Sequence, residues 1–192
     1  MKSPAPAFLK AIHEKKPVVA ISGKSGCGNT TVTTLLSKTL NFDMVNYTFR
    51  NLAEEEGIPF MELLTKAKTD STYDRLVDTR QVALASKGNC ILGSRLAVWV
   101  YPDADLKVFL TADPDTRARR IQKREGGAAD AVLNQTRARD AQDHQRYLDL
   151  YGIDNNEYSF VDLVLDTTQA LPEELVQVII ENLGKKFLVD PF

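Results

Sequence analysis

Residues 23–31 read Gly-Lys-Ser-Gly-Cys-Gly-Asn-Thr-Thr. Gly23, Gly28 and Thr30 fit the frame G-x-x-x-x-G-K-[ST] of a phosphate-binding loop, with Asn29 in the place of the lysine. In such a loop, backbone N–H groups and the start of the following helix hold anionic phosphate without help from any side chain. Gly23, Ser25, Gly26, Cys27, Gly28, Asn29, Thr30 and Thr31 are therefore the expected nucleotide cradle. Thr30 supplies the hydroxyl expected to ligand Mg²⁺ beside the outer phosphates. The missing lysine normally adds a mobile positive charge over those phosphates. Lys24, directly after the first glycine, is one replacement, and a solvated surface lysine is its equally weighted plain reading.

Arginines concentrate between Arg117 and Arg146. Arg139, Asp143 and Arg146 stand at i, i+4 and i+7, so a helix places them on one face. Two guanidiniums flanking a carboxylate can bind phosphate while the acid orients a neighbouring polar group. Arg117, Arg120 and Arg124 make a second one-faced row. Either row alone also reads as a solvated helix face. Between them lies the small turn Glu125-Gly126-Gly127-Ala128-Ala129. A glycine turn between arginine-bearing helices suits a lid that closes over transferring phosphates.

The elements that must position these residues follow from apolar pattern. Strands are expected at Pro17–Ser22, Asp43–Asn46, Asn89–Leu92, Asp105–Leu110 and Leu163–Asp166. Helices are expected at Thr30–Leu40, Thr48–Glu56, Phe60–Lys68, Thr72–Lys87, Asp113–Arg124, Asp130–Tyr151 and Pro172–Lys185. Pro114 and Pro172 mark helix starts, and Gly57, Gly88 and Gly152 mark helix ends. Short apolar strands alternating with helices imply a parallel sheet covered on both faces. The helical stretch from Tyr47 to Gly88 is too long for a simple crossover and reads as a subdomain.

At 192 residues the chain suits one domain, and a formal charge of −2 gives no electrostatic case for nucleic acid. No apolar run approaches a membrane span, and residues 1–16 lack the apolar stretch of a secretory signal. Cys27 and Cys90 make neither a disulfide framework nor a zinc site, which points to a reducing, cytoplasmic setting. His13 and His144 have no triad partners by spacing. Tyr147 and Tyr151 read as packing residues, and Trp99 as a core or subdomain-contact aromatic.

Further stretches fall in a telling order: Phe49-Arg50; Asp74 and Asp78 with Arg80; Ser94-Arg95-Leu96; Leu110-Thr111-Ala112; and Arg120-Ile121-x-x-Arg124-Glu125. Arg139-Asp140-x-x-Asp143-x-x-Arg146-Tyr147 and Tyr151-Gly152-Ile153-Asp154 complete the series. With the loop, from Val18 to about Ile180, they resemble the cytidylate kinases, P-loop nucleoside monophosphate kinases, in a form with a short lid. The resemblance implies a three-layer α/β P-loop NTPase fold. A parallel sheet of about five strands would carry a monophosphate-binding insert (47–88) and a lid region (117–146) within one domain (1–192).

It also implies transfer of the γ-phosphoryl group of ATP to CMP or dCMP with Mg²⁺, giving ADP and CDP or dCDP. By the same resemblance Arg50 and Arg95 hold the acceptor phosphate, and Asp143 and Arg146 contact the acceptor nucleotide. Arg139 reaches the phosphates, while Arg120 and Arg124 are lid residues on the donor side. With Lys24, these last three arginines are the expected catalytic cations. Asp74 and Asp78 match the pattern as readers of the base or as supports of the insert.

The departures are Asn29, Gly93 where related chains often carry an acid, and Asn46 where small residues are expected. They keep open a nucleotide-binding sensor or partner module with degraded catalysis, and a kinase for another small acceptor. Nucleotides are the only expected partners, with no nucleic acid and no membrane. A monomer is expected, a dimer being left open because Lys24 could act across one.

Overall fold

The computed structural model describes residues 2–192. Helix α1 (Pro6–Lys15) leads into strand β1 (Val18–Gly23), helix α2 (Asn29–Leu40) and strand β2 (Asp43–Val45). Helices α3 (Phe49–Glu56), α4 (Phe60–Ala67) and α5 (Thr72–Ala85) then precede β3 (Cys90–Gly93) and the short α6 (Ala97–Val100). Strand β4 (Leu106–Thr111), helices α7 (Pro114–Glu125) and α8 (Ala129–Tyr151), strand β5 (Leu163–Asp166) and helix α9 (Pro172–Phe187) complete the chain.

The five strands form one parallel sheet in the order β2-β3-β1-β4-β5. Every residue of β1 is buried, as its unbroken apolar run requires of a strand covered on both faces. The two-residue period divides it. Val19 and Ile21 join one core with α1, α2 and α9, while Val18 and Ala20 join another with Ala85, Ala97 and Val98. After β1 the chain runs outward to β2 and β3, then crosses to β4 and β5. The loop after β1 therefore sits at a topological switch point, where sheets of this kind bind ligands.

All five expected strands lie within a residue or so of their observed places, and seven helices match. Two helices are additional. α1 occupies a segment to which the sequence reading gave no element: Pro6 starts it, and Phe8 and Ile12, four apart, are fully buried against the core. α6 is a single turn after β3. The insert α3–α5 has a small core of its own, Leu52, Ala53, Leu63 and Val77. A capping box begins it, in which Thr48 and Asn51 bond each other's backbone. α7 and α8 form a hairpin around Ala118, Ile121 and Val132.

Candidate active site

The loop between β1 and α2 is shaped by backbone approach. Gly26 has φ +82°, and a Cβ there would lie 2.7 Å from the Arg117 carbonyl oxygen, so only glycine serves. The first N–H groups of α2 have no partner within the helix and face the cleft in front of the loop.

Asn29 turns away from that cleft. Its Nδ2 donates to the Ile21 carbonyl at 3.1 Å and to the Ser94 carbonyl at 3.3 Å, stitching α2 to the ends of β1 and β3. Gly93 belongs to the same arrangement. A Cβ there would stand 2.7 Å from Thr33 Cγ2 and 3.3 Å from Asn29 Oδ1. The two departures in the sequence are thus one packing solution: the short amide at position 29 and the bare backbone at 93 fit each other. An acidic side chain at 93 has no room.

One cleft of about 810 Å³ runs from the loop to the insert. Its walls are the loop itself, residues 46–49, Asp74, Val77, Asp78 and Gln81 of the insert, and Gly93–Leu96 after β3. Arg120, Arg124, Glu125, Arg139 and Tyr147 of the α7–α8 hairpin also line it, as do Thr167, Ala170 and Pro172 after β5.

The basic side chains are differently committed. Arg120 donates to Thr167 Oγ1 at 2.8 Å and to the Thr167 carbonyl at 2.6 Å, and Thr167 Oγ1 donates to the Cys27 carbonyl at 2.7 Å. This chain of bonds locks one guanidinium to the back of the loop. Arg124 pairs with Glu125 at 2.5 Å, and Arg139 lies 3.9 Å from the same carboxylate. Both pairs are exposed to solvent, where such pairs are weak and easily exchanged for a ligand. Lys24 donates to Asn156 Oδ1 at 2.7 Å. Arg117, the first of its row, turns inward: it is 6% exposed and pairs with Asp140 at 2.5 Å, binding α7 to α8.

Arg95 stands between loop and insert. It donates to Ser25 Oγ at 3.1 Å and pairs with Asp143 at 3.0 Å. Burial pulls its pKa down, but Asp143 and Tyr147 outweigh that and hold it above the ordinary arginine value. Burial pushes the Asp143 carboxyl up, with Arg95 opposing. The Tyr147 hydroxyl is pushed to about 12 by burial and by Asp143.

At the insert end of the cleft the residues divide. Asp74 and Asp78 line the cleft. Arg146 lies behind it, bonded through Nε to Asp74 at 3.0 Å, through Nη2 to the other Asp74 oxygen, and to the Ala67 carbonyl at 3.2 Å. Asp143 lies beside the main cleft, against a small cavity shared with Lys24 and Arg95. Arg50 is exposed, its guanidinium over the Phe60 ring at 4.3 Å. Tyr151 is more than packing: its hydroxyl donates to Asp78 Oδ2 at 2.6 Å.

Gln81 lines the cleft without having been singled out, and Tyr147, read from the sequence as a packing residue, lines it too. The signal for Gln81 was available, since Asp74, Asp78 and Gln81 share the i, i+4, i+7 spacing already used for Arg139, Asp143 and Arg146.

Among the described residues no three His, Cys, Asp or Glu side chains gather closely enough to hold a metal ion. The donors at the loop are hydroxyls. Thr30 lines the cleft, and so does Ser94, whose Oγ is buried and without a hydrogen-bond partner. That set fits a hard cation brought in on nucleotide phosphates better than one caged by protein alone.

A glycine loop at the switch point of this sheet, opening into an arginine-lined cleft, defines a P-loop kinase. The fold is shared with shikimate kinase from Bacteroides thetaiotaomicron, at a TM-score of 0.61 and 17% identity over 88% of this chain and 98% of that one. It is shared equally with shikimate kinase from Acinetobacter baumannii, at 0.62 and 16% over 92% and 97%. At that identity the likeness is one of fold.

Sequence gives the family. The chain belongs to the cytidylate kinase-like family, whose model matches residues 18–169. It is 44% identical over 174 residues to cytidylate kinase 2 of Borreliella afzelii, covering 88% of this chain and 98% of the relative. It is 38% identical over 174 residues to the cytidylate kinase of Pyrococcus abyssi, covering 88% and 96%. The chain is accordingly a nucleoside monophosphate kinase. No described helix is long and apolar enough to cross a membrane.

Proposed function

We propose that this kinase transfers the γ-phosphoryl group of ATP to CMP or dCMP, releasing ADP and CDP or dCDP. The observation that carries the reading is Arg95. It touches Ser25 of the donor loop while paired with Asp143 on the acceptor side. Two phosphates meeting there share one guanidinium, and such sharing offsets the mutual repulsion that opposes in-line transfer.

In this account the loop N–H groups hold the donor phosphates. Arg120, fixed between Gly26 and Thr167, borders the donor nucleoside. Arg124 and Arg139 exchange Glu125 for the transferring phosphoryl group when the lid closes. Lys24 leaves Asn156 to join them, and together they replace the lysine absent at position 29. Arg50 swings from Phe60 onto the acceptor phosphate. Asp143 orients Arg95 and the acceptor sugar, and Arg146 sets the insert's position through Asp74. Mg²⁺, held by Thr30 and the nucleotide, would neutralise charge developing on the outer phosphates. Catalysis of this kind asks the protein for positioning and charge, both of which these side chains supply. Both cysteines are free and buried, which suits a reducing cytoplasm.

Asn29 and Gly93 favour one rival, a nucleotide sensor without turnover. An ADP-release assay over CMP, dCMP, UMP, AMP and GMP separates the two. Turnover fastest with CMP or dCMP supports the kinase, and ATP binding without turnover on any of them supports the sensor.

A further inference from the structure

The insert end of the cleft holds a polar atom that phosphate chemistry does not use. Gln81 is 3% exposed and lines the cleft, and its Oε1 has no hydrogen-bond partner. Buried acceptors are ordinarily satisfied, so one left unpaired in a residue that lines a binding cleft has its hydrogen bond still to make. The amide is also oriented. Its Nε2 donates to Asp78 Oδ1 at 3.3 Å, and the other Asp78 oxygen accepts the Tyr151 hydroxyl at 2.6 Å. Turning the amide over would set its oxygen against the Asp78 carboxylate. Gln81 therefore presents an acceptor, and both neighbouring acids, Asp74 and Asp78, present acceptors beside it. Asp74 is already engaged by Arg146.

A wall of this kind matches a base that carries an amino group. Cytosine has an exocyclic N4 amino group where uracil has a carbonyl oxygen. Facing Gln81 Oε1, the first makes a hydrogen bond, while the second sets two acceptors against each other and leaves both unpaired. Resting on the reading of this end as the acceptor-nucleotide end, we infer that Gln81, held in orientation by Asp78 and Tyr151, selects cytosine over uracil by accepting a hydrogen bond from the N4 amino group. Nothing in this contact touches the sugar, so CMP and dCMP are treated alike by it.

The test compares kcat/KM for CMP and UMP, at saturating ATP, in the wild-type protein and in Gln81→Met, which keeps length and removes the acceptor. The wild type is expected to prefer CMP. In the variant the CMP-to-UMP ratio should fall about tenfold or more, through the KM for CMP. A merely structural loss would lower both substrates together. A ratio unchanged within about twofold, or a wild type indifferent to the base, overturns the role of Gln81 and leaves the kinase reading standing. A wild type that phosphorylates neither nucleotide overturns the kinase reading, and this inference with it. If Gln81→Met fails to fold, Asp78→Asn carries the same test. It frees the amide to turn, and the ratio should fall by about threefold or more; an unchanged ratio there counts equally against the role.

Discussion

The loop wall of the cleft stands on the main core, which extends from Phe8 in α1 to Leu183 in α9. The insert wall stands on four buried residues, Leu52, Ala53, Leu63 and Val77. The loop presents backbone N–H groups whose positions the sheet fixes. The insert presents side chains, and bonds to α8 hold it: Arg146 to Asp74 and to the Ala67 carbonyl, Tyr151 to Asp78, and Arg75 to the Leu150 carbonyl at 2.8 Å. The difference matches what each wall must recognise. Phosphates are the same in every nucleotide and suit a rigid backbone cradle. On the proposed reading the insert wall meets a base and an acceptor that must enter and leave, which calls for side-chain chemistry on the wall with the smaller core.

This contrast can be broken from either side. The largest effect is expected at the loop. Gly26→Val puts a side chain against the Arg117 backbone at a φ of +82°. A fluorescent ATP analogue should bind about 100-fold more weakly to a variant that still melts cooperatively. Retained affinity would show that the loop is softer than its geometry implies. Next, Gly93→Ala crowds Thr33 and Asn29, and urea unfolding should register a loss of about 2 kcal/mol, as overpacking of a filled site does. A neutral result would separate the two departures from the usual loop pattern.

On the insert side, Arg146→Ala removes the tie to Asp74 and Ala67. Steady-state kinetics should show the KM for CMP rising about tenfold while the KM for ATP moves less than about twofold. Equal changes in both would join the walls into one unit. The smallest effect concerns α7, which carries Arg120 and Arg124. The Asp113 carboxylate accepts the Thr116 N–H at 2.7 Å, which holds its pKa below the ordinary 3.8. A lowered carboxyl pKa adds stability above the unfolded value and loses it as pH falls through the folded one. The melting-temperature gap between wild type and Asp113→Ala should therefore hold from about pH 8 to about pH 5 and close below about pH 3.8.

The sheet was legible because its inner strands β1, β3 and β4 are short apolar runs that burial enforces, while the more exposed edge strands β2 and β5 stand out by their turn signals. Helix α1 was missed although Phe8 and Ile12 carry its register after Pro6; among charged neighbours the two apolar residues made too short a stripe. The loop was legible because its glycines answer a backbone demand. What the side chains around it do was less so. Arg117, Arg120 and Arg124 share one helical spacing, yet one is buried against Asp140, one is locked to Thr167 and one is surface-paired. Only the packing of α7 against the loop and α8 distinguishes them. Asn29 read alone suggests a lost charge, while its bonds to Ile21 and Ser94 give it a positive task. Gln81 is invisible to composition, because a glutamine in a helix is ordinary until its oxygen is found buried and unpaired.

The central claim is phosphoryl transfer to a cytidine nucleotide by a loop that lacks its lysine. Phosphorus NMR of the wild-type protein with ATP, Mg²⁺ and CMP tests it most directly. The account predicts CDP and ADP appearing together, one for one, as ATP and CMP disappear. ATP that persists beside unchanged CMP, or ADP that accumulates with inorganic phosphate and no CDP, would contradict it.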